Sequence, residues 1–324
     1  MIVPEFWAEA RERVVIDGKS RTYRRFGWSD DSEADALENA TERVREAAAR
    51  ARAGEKVRLA DHKVAYNGAE GLPIREEIIE RHGDTLITRN SYGALCLNTP
   101  DVLFADVDIE PRGHAAIGWI VFLFILPVGW LLKIQLDSWW PFAVAVVLGA
   151  FVAEPIGRKL ADVMGRARDD PFDLAMSRFE EYALRNPRWI MRVYRTPLGF
   201  RLLAMHKTFS PEEEEAFLFM QAVGSDRLYM QMCRNQKCFR ARVSPKPWRI
   251  GIDHIRPRPG IWPIRDERLP ERRAWVKRYD LQAKEYASCR YEQTLGTGLP
   301  SRKCESVRSL HDKLCRVDAE LPIA

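Results

Sequence analysis

The chain has 324 residues, 30% of them charged and 46% hydrophobic, which suffices for one large or two small folded domains. No internal repeat or low-complexity tract is visible, which excludes a repeat array or a disordered tail as the main architecture. The net charge of +5 hides an asymmetry: residues 1–154 carry 18 basic and 24 acidic side chains, net −6, whereas residues 155–324 carry 33 and 22, net +11.

Residues 13–16 and 22–26 read as two short strands around Asp17-Gly18, a hairpin turn pair. A helix follows, with Ser32 as its cap and Asp35 three residues on as a near-match to a capping box. Ala36, Leu37, Ala40, Val44, Ala47, Ala48 and Ala51 form its apolar face, and Gly54 stands where a stop belongs. The stretch PIREEIIERHG predicts a second helix from Pro73 to Gly83. Strands are expected at residues 85–88, 94–97 and 102–108.

Residues 115–132, AAIGWIVFLFILPVGWLL, hold 18 residues without a charge, and residues 138–153, SWWPFAVAVVLGAFVA, hold 16 more. At about 1.5 Å per helical residue the first spans roughly 27 Å, close to the thickness of a bilayer's hydrocarbon layer. Trp119, Trp130, Trp139 and Trp140 lie near the ends of these runs, where tryptophan favours the headgroup level. The pattern predicts two membrane-spanning helices joined by a tight polar turn, with a re-entrant hairpin or a buried soluble hairpin as alternatives. Arg158, Lys159, Arg166 and Arg168 follow the second run and Arg112 precedes the first, whereas the connection offers only Lys133 and Asp137. The positive-inside rule then places both soluble parts, and with them both termini, in the cytoplasm.

Beyond the hairpin, residues 172–185 have helical spacing, and residues 189–194 and 200–205 read as strands joined by a turn with Pro197 and Gly199. Ser210-Pro211-Glu212-Glu213 opens a helix that Gly224 closes. Residues 256–273 read as a Pro- and Arg-rich loop, and residues 301–316 show weak helical spacing. The predicted class is α+β: a mixed-sheet cytoplasmic domain made of residues 1–113 and 156–324, with a transmembrane hairpin, 114–155, inserted in it.

Of the residue clusters able to carry chemistry, VLFADVDIE comes first. On a strand, Asp106 and Asp108 share a face, and a divalent cation such as Mg²⁺ or Mn²⁺ would relieve their repulsion. The second is Arg240, Arg242 and Lys246, two guanidinium groups on one strand face and a lysine in the turn beyond, a plausible anion cradle or a solvated face. They belong to a segment, residues 227–278, that holds 15 basic and 4 acidic side chains interleaved with Trp248, Trp262 and Trp275 and followed by Tyr279. Such a segment fits nucleic acid, phosphate-bearing small molecules or anionic lipid, and each aromatic taken singly reads as core. His206 ends a strand, where a lone histidine is more often a packed residue than a ligand. The six cysteines show no CxxC pair, and Cys233 and Cys238 have no matching histidine cluster nearby, so reduced thiols rather than a zinc site are expected.

The segments RRFGWSD, KVAYNGAEGLPIREEI, ITRNSYGALCLNTPDVLFADVD, YRTPLGFR and KCFRARVSPKPWR resemble a bacterial family of uncharacterised, often membrane-associated proteins, over most of residues 22–250. More remotely, the chain resembles the archaeo-eukaryotic primase-like superfamily, whose core pairs a DxD strand with a small-residue-Gly-x-His strand, a third acid and a basic segment. Asp106 and Asp108 match the DxD, Asp226 the third acid, and Arg234 to Lys246 the basic segment; Arg201 stands where the histidine is expected. The resemblance implies metal held by Asp106, Asp108 and Asp226, with phosphates held by Arg201, Arg240, Arg242 and Lys246. The expected function is a two-span protein of the bacterial inner membrane whose cytoplasmic domain binds nucleotide or nucleic acid. Its rival is a non-enzymatic anchor that docks on anionic lipid or a protein partner, with Gly149 and Ala145 packing one hairpin on another in a homo-oligomer.

Overall fold

The computed structural model describes residues 3–61, 73–109, 115–166 and 170–324. The KVAYNGAEG motif, Arg112 and Arg168 lie outside the described residues, as do the side chains of Arg158 and Arg166. The chain divides into two compact units, residues 1–107 with 182–324, and residues 108–181.

The first unit begins with a long hairpin. Strands β1 (Phe6–Ile16) and β2 (Lys19–Ser29) pair antiparallel through the expected turn, with Asp17 and Gly18 both at positive φ. Helix α1 (Glu33–Arg52) lies on them; the Ser32 hydroxyl accepts from the Asp35 amide at 3.1 Å, as its position predicted. Its alanine face is buried together with Val14, Tyr23 and Val44. Small residues allow close approach here: a Cβ on Gly27 would lie 2.1 Å from the Ala40 amide nitrogen and 2.2 Å from the Ala36 carbonyl oxygen.

The segment predicted to be a helix from Pro73 to Gly83 is instead a strand, β3 (Glu77–His82), paired antiparallel with β4 (Thr85–Arg89) through Gly83 and Asp84. Gly83, at φ 64°, closes a two-residue hairpin rather than a helix. The neighbouring apolar strand overrides the local helical spacing. β4 pairs with β5 (Leu95–Thr99), and β5 with β9 (Phe239–Arg242), giving the order β3-β4-β5-β9.

A second sheet has the order β10-β7-β8-β6, with β6 (Phe104–Asp108), β7 (Met191–Thr196), β8 (Gly199–Ala204) and β10 (Arg290–Leu295). β8 is buried at every residue, which shows that both of its faces are covered. Every named strand pair whose register is described is antiparallel, so the sheets are antiparallel rather than mixed.

The first unit also holds α5 (Glu214–Val223), α6 (Arg227–Gln236), α7 (Leu269–Gln282) and α8 (Arg302–Cys315), and α4 (Pro171–Arg185) runs along the chain from the second unit into the first. α5 begins a turn later than its Ser-Pro-Glu-Glu signature suggests, because Ser210 and Glu213 spend their side chains on a local turn. Gly224 ends it at φ 78°, as expected. α7 claims the last five residues of the predicted 256–273 loop, with Pro at its start and Glu271 in its first turn.

The second unit holds most of α4 and a helical pair, α2 (Ala115–Leu136) and α3 (Trp140–Arg166), joined at Asp137, whose φ is 44°. In α2, Trp119–Leu136 is long and apolar enough to cross a bilayer, and only 6% of it is buried. In α3 the apolar part, Trp140–Ala153, is shorter than a span. Gly149 and Ala145 are used within the pair: a Cβ on Gly149 would meet the Phe122 ring at 3.0 Å, and one on Gly129 would meet the Ala145 Cβ at 2.4 Å. At the turn, the Lys133 ammonium lies 4.6 Å from the ring centre of Trp139 and 5.3 Å from that of Trp130.

Candidate metal centre and phosphate site

β6 and β9 are edge strands of their two sheets, and their facing carbonyls need donors. Side chains and one backbone amide supply them. The Tyr229 hydroxyl lies 3.0 Å from both the Phe104 and the Arg240 carbonyl oxygens, and Arg201 Nη1 donates to the Arg242 carbonyl at 2.8 Å. The Asp106 carbonyl accepts from the Asp226 amide at 3.0 Å and from the Ser225 hydroxyl at 2.8 Å. This is why Asp226 and Asp106, distant in sequence, come together.

Their carboxylates are engaged elsewhere. Asp226 caps α6, accepting from the Leu228 and Tyr229 amides at 3.2 Å. Asp106 pairs with Arg201 through Nε at 2.7 Å and Nη2 at 3.3 Å. The Arg201 side chain is 3% exposed, that of Asp106 28%. Burial pulls against the Arg201 charge, but the Asp106 attraction and hydrogen bonds outweigh it and hold the guanidinium above its usual pKa. Asp108 lies two residues along β6 and is exposed.

The predicted phosphate ligands divide in the same way. Arg240 grips Glu76 with Nη2 at 2.7 and 2.6 Å from its two oxygens, and Glu76 also accepts from the Thr88 hydroxyl at 2.6 Å. Arg242 stands on the same strand face, half-buried, with no hydrogen-bond partner for its Nε. Lys246 lies 5.6 Å from the ring centre of Trp248, which also touches Tyr92 edge-on and stacks on His254. Of the aromatics in the basic segment, Trp275 and Tyr279 are core, while Trp248 is exposed. Arg256, Arg258, Arg265, Arg268, Arg273, Lys277 and Arg278 are exposed along the same segment. Arg272 is buried on Glu77 at 2.9 Å. His206 packs on Trp189, with ring centres 4.4 Å apart, and on Phe209, in an aromatic cluster with Phe219. It is a packing residue.

Among the described residues, the group best arranged to hold a metal is one that the sequence spacings did not suggest. Cys289, immediately before β10, and His311 and Cys315, four apart on α8, bring two sulfurs and an imidazole nitrogen within 4.8 Å of one another. All three residues are wholly buried. α8 faces the second sheet here, and the His311 ring lies 4.8 Å from that of Tyr194 and 5.3 Å from that of Phe104. Asp312 anchors this contact. Its Oδ1 accepts from the Tyr194 hydroxyl at 2.7 Å and from His311 Nδ1 at 3.0 Å. Its Oδ2 accepts from Arg308 at 2.9 Å and Arg192 at 3.2 Å.

Because a carboxylate only accepts, Nδ1 carries the proton, and Nε2 turns to Cys315 Sγ at 3.4 Å, Cys289 Sγ at 4.0 Å and Arg201 Nη1 at 3.3 Å. The hydrogen bond from Cys315, followed by the neighbouring imidazole, holds the Cys289 thiol well below its usual pKa, while burial pushes Cys315 well up. Burial pulls His311 down, but Cys289 and Asp312 together raise it. The signal available in the sequence was His-x3-Cys, an i,i+4 pair on one helix face; its third member comes from a loop 22 residues upstream, which only the fold brings near.

No family model matches this chain, nor does any curated protein or solved structure, and the roles of these residues therefore rest on the geometry described above.

Proposed function

We propose that this is a membrane-anchored interaction protein. The apolar pair of residues 115–153 sits in a bacterial inner membrane as a hairpin, with both soluble parts in the cytoplasm, and the basic segment docks on anionic lipid headgroups. The observation that carries this reading is α2, an 18-residue apolar window, Trp119–Leu136, that the fold leaves exposed, with Trp119, Leu123, Phe124 and Leu131 all open. A contiguous exposed apolar surface of this kind marks a membrane or protein contact. The shorter apolar run of α3 is completed as a second crossing by its pairing with α2 and by interfacial Trp139 and Trp140. The exposed arginines and lysines of residues 256–278 supply the attraction to anionic headgroups. The test is alkaline carbonate extraction of expressing cells, followed by protease treatment of spheroplasts. The protein stays in the membrane pellet and both termini are protected. Release into the supernatant would overturn the anchor, and digestion of the termini would overturn the orientation.

A second reading, a primase-like nucleotide site using Mg²⁺ or Mn²⁺, is favoured by the meeting of Asp106 and Asp226 and the part-exposure of the Asp106 carboxylate. Against it stand the internal partners of Asp106, Asp226 and Arg240, which a bound metal triphosphate would have to displace. Calorimetry with Mn²⁺ and a nucleoside triphosphate decides between them. Asp108→Asn is the informative control, because Asp108 is exposed whereas an Asp106 variant also strands Arg201. The anchor reading expects no heat of binding in either protein; binding lost in Asp108→Asn would replace it.

A further inference from the structure

We propose that Cys289, His311 and Cys315 form a structural site for a thiophilic divalent cation, zinc above all, which clips α8 to the loop entering β10. A tetrahedral zinc ion with Zn–S near 2.3 Å and Zn–N near 2.0–2.1 Å sets its ligands roughly 3.6 Å apart for N and S and roughly 3.8 Å for two sulfurs. The observed Nε2–Sγ distances of 3.4 and 4.0 Å bracket the first value, and the 4.8 Å limit on the whole group accommodates the second. The three donors therefore stand close to the spacing a tetrahedral ion needs.

Three further features fit a metal better than a bare thiol pair. Asp312 holds Nδ1 and aims Nε2 at the sulfurs, the carboxylate–histidine arrangement that orients metal-bound imidazoles. Asp312 is itself fixed by Tyr194, Arg192 and Arg308, so the ring cannot swing away cheaply. The charges also balance: two thiolates neutralise the ion, while the nearby Arg201 is already neutralised by Asp106. Arg201 Nη1 keeps its shorter bond to the Arg242 carbonyl when the ion takes Nε2. Binding breaks two S–H bonds, forms two metal–sulfur bonds and one metal–nitrogen bond, and releases two protons to solvent. Two thiolates and an imidazole select zinc over Mg²⁺ or Mn²⁺, which prefer oxygen. Complete burial of the three donors shuts out any sizeable substrate, so the role is to hold the fold.

The experiment uses the full chain, purified in detergent from zinc-supplemented cells, and measures metal content by mass spectrometry. About one zinc per chain is expected. Exchange into Co²⁺ should give the thiolate charge-transfer and intense visible bands of a tetrahedral cobalt site. Cys289→Ser, Cys315→Ser and His311→Gln should lose the metal, whereas Cys304→Ser, a buried cysteine outside the group, should retain it. Should the variants fail to fold, the cobalt spectrum of the unaltered chain still decides. A metal-free protein with no such spectrum, or one with a Cys289–Cys315 disulfide, would overturn the proposal.

Discussion

Arg201 shows how one residue changes meaning once its surroundings are known. By position it resembles a phosphate ligand, yet it is buried on Asp106 and bridges to the β9 carbonyl of Arg242. Breaking a buried pair leaves an uncompensated charge, at roughly 3–5 kcal/mol. Asp106→Asn should therefore destabilise the protein by about that much. Arg201→Met should cost less, because the Asp106 carboxylate left behind reaches solvent. Denaturant titration of both variants and the double variant checks the order, and equal effects would show that the pair is not the stabilising unit. His206 gives the pH dependence. Burial, then the adjacent Lys207 charge, lowers its pKa below the unfolded value of 6.5, and its Nδ1 has no hydrogen-bond partner. The unfolded chain thus takes up the proton first. The contribution is complete above pH 6.5 and is lost as pH falls through the folded pKa. His206→Phe keeps the stacking on Trp189 and should flatten the acid limb of stability against pH.

At the scale of elements, α1 and the β1–β2 hairpin are the part most openly written in the sequence. The Asp17-Gly18 turn, the Ser32 cap and the alanine face at helical spacing each point to the observed arrangement. Gly27 is the exception that the pattern does not flag, since its need appears only when α1 lies on β2. Gly27→Ala would drive a methyl group into the backbone of Ala36 and Ala40. It should destabilise by about 1–3 kcal/mol, the usual effect of overpacking, measured as a fall in the denaturation midpoint. An unchanged midpoint would mean that the helix can shift away freely. Residues 77–82 show the opposite case: EIIERH has helical spacing, but the strand at 85–89 offers a partner and Gly83-Asp84 a turn. Pairing with a buried neighbour outweighs a local preference worth a few tenths of a kcal/mol per residue.

For the whole molecule, the prediction concerns where the exposed apolar surface goes. A charge at the centre of a membrane helix costs about 2.5–3.5 kcal/mol on insertion scales. Phe124→Arg, on an open face of α2, should therefore reduce the carbonate-resistant fraction several-fold. The same change on a helix exposed to water would be neutral, so an unaltered distribution would argue against the bilayer. Gly149 and Ala145 face α2 within the pair, which leaves the larger residues Phe124, Leu131, Val147 and Phe151 as the outward surface. That surface suits lipid chains better than the close helix contact expected of small residues.

The sequence by itself determined the α+β class, the uncharged runs at 115–132 and 138–153, the turn and cap residues, and the local excess of basic charge. These are properties of neighbours along the chain, set by spacing and composition. Only the tertiary structure decided which polar residues meet. It gave Asp106 to Arg201, Arg240 to Glu76 and Asp226 to the start of α6, because buried charges and strand-edge carbonyls must find partners. It also assembled Cys289, His311 and Cys315, whose common site exists only when α8 packs across the second sheet beside the loop before β10. Distance in sequence hides such a set, since nothing in the spacing from Cys289 to His311 encodes how the intervening chain turns back.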